Sequence, residues 1–263
     1  MDATFSQTLL TAGLTIFIYM NLLYLLAMKV KNASIVDVGW GLGFVAVALV
    51  LLISTGSFNP AAVTLYCLVN LWGLRLTSHL AARNLGRAED WRYRAWRQQW
   101  GKSYAWRSYL QIFMLQGLMM WLISLSLVVA FAAGASYVPE GNWLAAGVAV
   151  WVIGFGIEAV ADWQLAKFKK NRSKNTSPIM STGLWRFSRH PNYFGEVLQW
   201  WGLWLCVLML PMGWVAVISP LIITWLIVFV SGVPLLEKKF TGDKDYQTYA
   251  QRTSRLLPWP PKA

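Results

Sequence analysis

The stretch GLWRFSRHPNYFGE, residues 183–196, sets Arg186, Arg189, His190, Asn192, Tyr193 and Glu196 side by side, and an apolar run begins at once after it. Guanidinium groups bind phosphates and carboxylates through paired hydrogen bonds. Imidazole exchanges a proton near neutral pH. Asn and Glu can read the edge of an amide or a ribose. Such a set suits a polar ligand held at the end of a helix. A plainer role is also open to part of it. Pro191 suits a first helical turn and Asn192 a helix cap, with His190 capping the same helix. Glu196, one turn further in, is not explained by capping.

Other ionisable residues stand in apolar surroundings. Arg75 and His79 are one turn apart on one helix face. Asp37, Glu158 and Asp162 also fall in or at the ends of hydrophobic runs. In a bilayer such groups usually face a partner or a cavity. Asp37 and Arg75 could pair to brace a bundle, or could line a polar cavity with Glu158 and Glu196. The segments RNLGRAEDWRYRAWRQQWGKSYAWR and KFKKNRSKNTSPIMSTGLWRFSRHPNYFGE mix Arg, Lys and Asn with Trp and Tyr. That mixture fits a phosphate-bearing, flat cofactor better than anionic lipid alone. No G-x-G-x-x-G follows a strand, and no P-loop, G-x-S-x-G or metal-ligand spacing occurs, so no metal is expected. Cys67 and Cys206 both lie in apolar runs and read as buried thiols.

The elements that must position these residues follow from composition. Of 263 residues, 57% are hydrophobic and 13% charged, against about 25% charged in soluble domains. Seven apolar stretches are long enough to cross a bilayer, near 8–28, 34–54, 61–82, 110–134, 142–165, 192–210 and 212–235. The first is preceded by Asp2 and no basic residue, so it reads as a span rather than a signal peptide. The net charge of +12 has a clear distribution. If seven spans alternate, every Lys and Arg but Arg75 falls on one side, and the opposite loops TGSFNP, AGASYVPEGN and LPMG hold none. The positive-inside rule then gives an all-α integral membrane protein of about seven helices, with the N-terminus periplasmic and the C-terminus cytoplasmic. It forms one membrane domain, 1–263, with cytoplasmic loops at 83–109 and 166–191 and a cytoplasmic segment at 236–263. The expected location is the bacterial inner membrane, and nucleic acid is not an expected partner.

Residues 70–261 resemble the steroid 5-alpha-reductase-like membrane reductases, especially the bacterial relatives of the DUF1295 type. EDWRY (Glu89–Tyr93), DWQLAKFK (Asp162–Lys169), the block Gly183–Glu196 and the tail YAQRTSRLLPWPP carry the likeness. The resemblance implies seven helices, NADPH at the cytoplasmic end, and reduction of a carbon–carbon double bond conjugated to a ketone in a lipid-soluble substrate. It implies Asn84 and Arg87 as phosphate and ribose contacts, Asp162 and Lys169 as acidic and basic cofactor contacts, and Asn192 and Glu196 at the nicotinamide. Tyr249 and Arg252 would lie in the segment that closes over the cofactor. Lys169 and Arg172 are the cofactor candidates of the KFKKNRSK run, and His190 and Tyr193 stand at the junction of lipid and water routes. Where the steroid enzymes place a Glu in the second span, this chain has Asp37. Where they place a Tyr in the third, it has Trp72 or Gly73, with Arg75 and His79 nearby. The expected donor to the substrate oxygen is His79 held by Asp37, with Arg75 as the alternative.

Two further readings come from other classes. One is a membrane methyltransferase resembling the isoprenylcysteine carboxyl methyltransferases, which share an Arg-His-Pro element and would use S-adenosylmethionine. The other is a lipid-binding or transport protein without catalysis, although no internal repeat supports a transporter.

Overall fold

The computed structural model describes residues 3–84, 86–134, 141–171, 179–238 and 240–262. Those residues form helices joined by turns, with one isolated bridge, Ser188 to Ser254, and no named strand. The chain divides into two compact units, one of residues 1–141 and 207–218, the other of residues 142–206 and 219–263.

In the first unit α1 (Ala3–Val30), α2 (Ile35–Thr55) and α3 (Pro60–Asn84) pack in sequence. α2 and α3 approach each other closely at Gly41 and Gly73. A methyl group on Gly41 would lie 2.4 Å from the Gly73 carbonyl oxygen, and one on Gly73 would lie 2.7 Å from that of Gly41. The helix α4 (Trp91–Trp100) starts at Asp90, whose carboxylate caps it by accepting from Arg92 N at 3.0 Å. Then follow α5 (Tyr104–Ser108), a π-helical stretch Tyr109–Met114, α6 (Leu115–Ile123) and α7 (Leu125–Ala132). The last two meet at Ser124, where the chain bends by 46° and the Ser124 hydroxyl donates to Met120 O. Leu10, Leu14, Phe17 and Leu22 of α1 are exposed, as expected for side chains that meet lipid.

In the second unit α8 (Trp143–Asn171) and α9 (Pro191–Val207) run antiparallel. Glycines spaced seven apart on each helix hold them together. Gly154 faces Gly195 and Gly147 faces Gly202. A methyl group on Gly154 would stand 2.6 Å from Gly195 O, and one on Gly202 would stand 2.7 Å from Gly147 O. Small residues let helix backbones approach this closely, and in lipid that contact is a main source of association. Beyond α9 come α10 (Ile218–Trp225), a π-helical stretch Leu226–Val230, α11 (Val233–Lys238) and α12 (Lys244–Arg252), the last capped by Asp243.

Four helices among the described residues are long and apolar enough to cross a membrane: α1, α2, α8 and the stretch Val215–Lys238. A fifth span results if the bent Trp91–Ile123 and Leu125–Ala132 pair counts as one. By these helices the chain is a multi-pass membrane protein. Two of the seven expected spans fall short for separate reasons. α3 has 25 residues but carries Arg75, His79 and Arg83, and α9 has only 17 residues. Cys206 is buried, but Cys67 is exposed, which corrects its reading as a buried thiol.

The glycine contacts predict a specific asymmetry. Gly154→Ala should lower the thermal midpoint in detergent, by an overpacking cost of about 1–3 kcal/mol. Gly156→Ala, where a methyl group meets nothing within 4 Å, should leave the midpoint unchanged or raise it. Equal midpoints for the two variants would contradict the close approach of α8 and α9.

Candidate functional site

The α8–α9 pair lines up polar residues beyond its glycines. Four residues after Gly154 comes Glu158, which is 3% exposed and accepts from Gln199 Nε2 at 2.6 Å. Another turn on, Asn192 Nδ2 donates to Asp162 Oδ1 at 3.2 Å. The buried Oδ1 of Asn192 has no protein partner, and neither has Oε1 of Gln199. His190, buried at the start of α9, stacks on Tyr193 with ring centroids 5.6 Å apart. Its Nε2 stands 3.2 Å from Glu237 Oε1, while its buried Nδ1 has no partner. Burial lowers the basicity of His190 below the ordinary histidine value. The hydrogen bond and charge of Glu237 oppose that effect, and Arg189 and Arg255 add to it. The neutral ring therefore donates from Nε2 to Glu237 and presents a bare Nδ1. The first turn of α9 thus offers two unused acceptors, Asn192 Oδ1 and His190 Nδ1.

The segment leading into α9 is tied down on both sides. Leu184 N donates to Gln164 Oε1 of α8 at 3.0 Å, and Trp185 Nε1 donates to Ala161 O at 3.1 Å. On the other side, Ser188 Oγ donates to Leu256 O at 2.7 Å and Arg189 N donates to Ser254 O at 2.8 Å. The Tyr249 hydroxyl donates to Trp185 O. Burial pushes the Tyr249 phenol up, so it stays a donor. Glu237 of α11 draws in two cations, Arg189 at 3.1 Å and Arg255 at 3.7 Å, and the neutral His190 ring at 3.2 Å. Arg252 borders a cleft of about 340 Å³ that Arg255, Trp259 and Lys262 also line. Lys169 is exposed in the last turn of α8. Glu196 sits one turn into α9, half-buried. Arg172 lies outside the described residues.

The first unit holds a separate polar cluster. Asp37 Oδ1 accepts from the Tyr93 hydroxyl at 2.6 Å, and its Oδ2 from Arg92 at 2.7 Å. Asp90 N donates to Ser34 Oγ at 2.7 Å. Glu89 accepts from Ala33 N at 2.8 Å and from Arg97 at 2.8 and 3.0 Å. Partial burial would raise the Glu89 carboxyl, but the Arg97 and Ala33 hydrogen bonds outweigh it and hold the group below its ordinary value. The expected contact of Asp37 with His79, or with Arg75, is corrected here, because both carboxylate oxygens meet α4 instead. His79 and Arg75 lie half-buried on α3. Asn84 accepts from Arg83 Nε at 3.2 Å, and Arg87 is exposed just beyond.

The expected residues are therefore divided. Asp162, His190, Asn192 and Tyr193 meet in the second unit, with Tyr249 supporting the segment beside them. Asp37, Arg75, His79, Asn84 and Arg87 belong to the first unit. Residues that the sequence reading did not place in a site are Tyr93 and Arg92, as partners of Asp37, and Glu158, Gln199 and Glu237. The paired G-x6-G spacings in α8 and α9 were the available signal for Gln199, because Gln199 lies four residues after Gly195 on the contact face. Among the described residues, no group of three or more His, Cys, Asp or Glu could hold a metal ion.

No solved structure matches the chain. The chain is 27% identical over 275 residues to Uncharacterized protein C594.04c of Schizosaccharomyces pombe, a match that covers 92% of this chain and 77% of that protein. The family model described as "Protein of unknown function (DUF1295)" matches residues 23–253, and with this share of its length covered the chain belongs to the DUF1295 family.

Proposed function

We propose that the protein is an NADPH-dependent reductase that saturates a carbon–carbon double bond conjugated to a ketone in a steroid-like or other lipid-soluble substrate. The observation that carries this reading is the pair of unused acceptors, Asn192 Oδ1 and His190 Nδ1, on the first turn of α9. Two acceptors suit the NH₂ of a carboxamide, the group that nicotinamide carries. The cofactor's phosphates call for cations, and Arg252, Arg255 and Lys262 border one cleft of the same unit. NADPH, when bound, supplies the hydride. The chain's own part is to hold the carboxamide at Asn192 and His190, keep His190 neutral through burial, and fix the α9 mouth through Glu237 and Tyr249. Glu196, Asp162 and Lys169 are assigned to the same cofactor. Asn84 and Arg87 of the other unit are carried as separate phosphate and ribose assignments.

The donor to the substrate oxygen is carried as His79, with Arg75 as the alternative, because the one proton of the Tyr93 hydroxyl is already given to Asp37. Such a donor stabilises negative charge that develops on a carbonyl oxygen. We also propose seven spans, with α3 and α9 crossing in spite of polarity and length. The Lys- and Arg-rich loops would then face the cytoplasm of a bacterial inner membrane.

A second reading has one observation in its favour. The same acceptors beside Asp162 would suit the ammonium of S-adenosylmethionine, as in a membrane methyltransferase. That ligand carries no phosphate, so the Arg252–Lys262 cleft would stay without a role.

Titrating NADPH into the purified protein tests the acceptor pair. Asn192→Leu should weaken affinity about tenfold, equivalent to about 1.4 kcal/mol, while the fold survives. The wild-type affinity should be level above the ordinary histidine value of 6.5. It should fall only as pH drops through the lowered value of His190, because protonation removes the Nδ1 acceptor. Unchanged affinity in the variant would separate the cofactor from α9.

The donor assignment has its own test. His79→Gln should leave NADPH affinity unchanged and slow single-turnover reduction of an enone substrate at least tenfold, while Tyr93→Phe should not slow it. The reverse pattern would move the role to Tyr93.

A further inference from the structure

The last turns of α8 border a second cleft, of about 410 Å³, lined by Trp163, Gln164, Lys167, Phe168 and Asn171 and, from the returning chain, Met180, Thr182 and Gly183. The reductase reading uses none of these residues. Their position along α8 shows what meets them. Trp143 and Trp163 are 41% and 60% exposed, and a separation of 20 residues along one helix at about 1.5 Å each is about 30 Å. That is the thickness of the hydrocarbon layer, and exposed tryptophans mark its two faces. With Trp143 at one face and Trp163 at the other, the cleft lies at the level of the lipid headgroups.

The lining has two parts. Trp163, Phe168 and Met180 offer an apolar wall. Lys167, Asn171 and Thr182 offer one cation and neutral hydrogen-bonding groups, and among the described residues no acidic one lines the cleft. The Lys167 ammonium stands 5.1 Å over the Trp163 ring, so the cation is held at the boundary between the two parts. Trp163 and Lys167 are one turn apart, and Asn171 is a further turn on, so all three share a face of α8. Lys169 and Lys170 follow in the same last turn.

We propose that this cleft is a binding site for an anionic phospholipid of the surrounding membrane. The phosphodiester is placed on Lys167, Asn171 and Thr182, and the glycerol and first acyl carbons rest on Trp163, Phe168 and Met180. A zwitterionic lipid would bring a second cation against Lys167, so the cleft selects for net negative charge. The proposal does not depend on the reductase activity.

The test uses the full chain in nanodiscs that hold equal amounts of phosphatidylglycerol and phosphatidylcholine. Lipid retained after release into the gas phase is counted by native mass spectrometry. The wild type is expected to retain phosphatidylglycerol in preference by about tenfold, which corresponds to about 1.4 kcal/mol. Lys167→Glu should bring the ratio close to one, and Trp163→Ala should lower total retention. Lys170→Glu makes the same charge change outside the lining and should keep the preference. Soluble glycerol phosphate should not displace the lipid, since it lacks the part that meets the apolar wall. Retained preference in Lys167→Glu would overturn the proposal. So would an equal loss in Lys170→Glu, which would mean diffuse charge. Displacement of the lipid by NADPH would assign the cleft to the nucleotide and overturn it as well. Circular dichroism of each variant separates loss of the site from loss of the fold.

Discussion

Two helix backbones come within carbonyl contact only where neither carries a side chain, and α8 and α9 meet this condition twice. Gly147 lies against Gly202 and Gly154 against Gly195, with no room for a methyl group at either pair. The second unit's candidate site depends on this contact. Each seven-residue glycine repeat keeps one face of its helix turned to its neighbour over two turns. The same face then continues to Glu158 and Asp162 on α8, and to Asn192 and Gln199 on α9. Polar groups on a helix contact face are costly to bury unless hydrogen bonded. Glu158 meets that need through Gln199, and Asp162 through Asn192.

The end of the pair is held from outside by a second constraint. Glu237 gathers Arg189, His190 and Arg255, so one carboxylate joins α11, the segment before α9 and the C-terminal tail. The tail is also bound backbone to backbone, since Arg189 N donates to Ser254 O and Trp259 N to Phe187 O. Burial keeps His190 neutral against the pull of Glu237, and the clamp orients its ring. In the first unit α4 has a comparable role. Its Tyr93 and Arg92 meet Asp37 of α2, and Asp90 at its start meets Ser34 in the α1–α2 turn.

Much of this was legible in the sequence where the signal was local or periodic. The apolar runs marked α1, α2 and α8, because about 20 apolar residues in a row are a direct record of a lipid surroundings. The block Gly183–Glu196 pointed to Asn192 at the mouth of α9, and the run DWQLAKFK pointed to Asp162. Contacts made at long range were not legible. Asp37 and Tyr93 are 56 positions apart, and His190 and Glu237 are 47 apart. Nothing in the local pattern of Asp37 favours Tyr93 over His79 as a partner. Among the described residues two of the seven expected spans fall short in length or composition, α3 because its second half trades apolar residues for Arg75, His79 and Arg83, and α9 because the helix stops at Val207.

The most direct measurement is the thermal midpoint of the purified protein in detergent with NADPH, NADH or S-adenosylmethionine added at equal concentration. A ligand present at about a hundred times its dissociation constant stabilises the folded state by about 2.7 kcal/mol, so selective binding is readable as a shift. NADPH is expected to raise the midpoint most, NADH less because it lacks the 2′-phosphate that the basic residues would hold, and S-adenosylmethionine not at all. A shift with S-adenosylmethionine and none with NADPH would contradict the carboxamide reading of Asn192 and His190 and would favour a methyltransferase in its place.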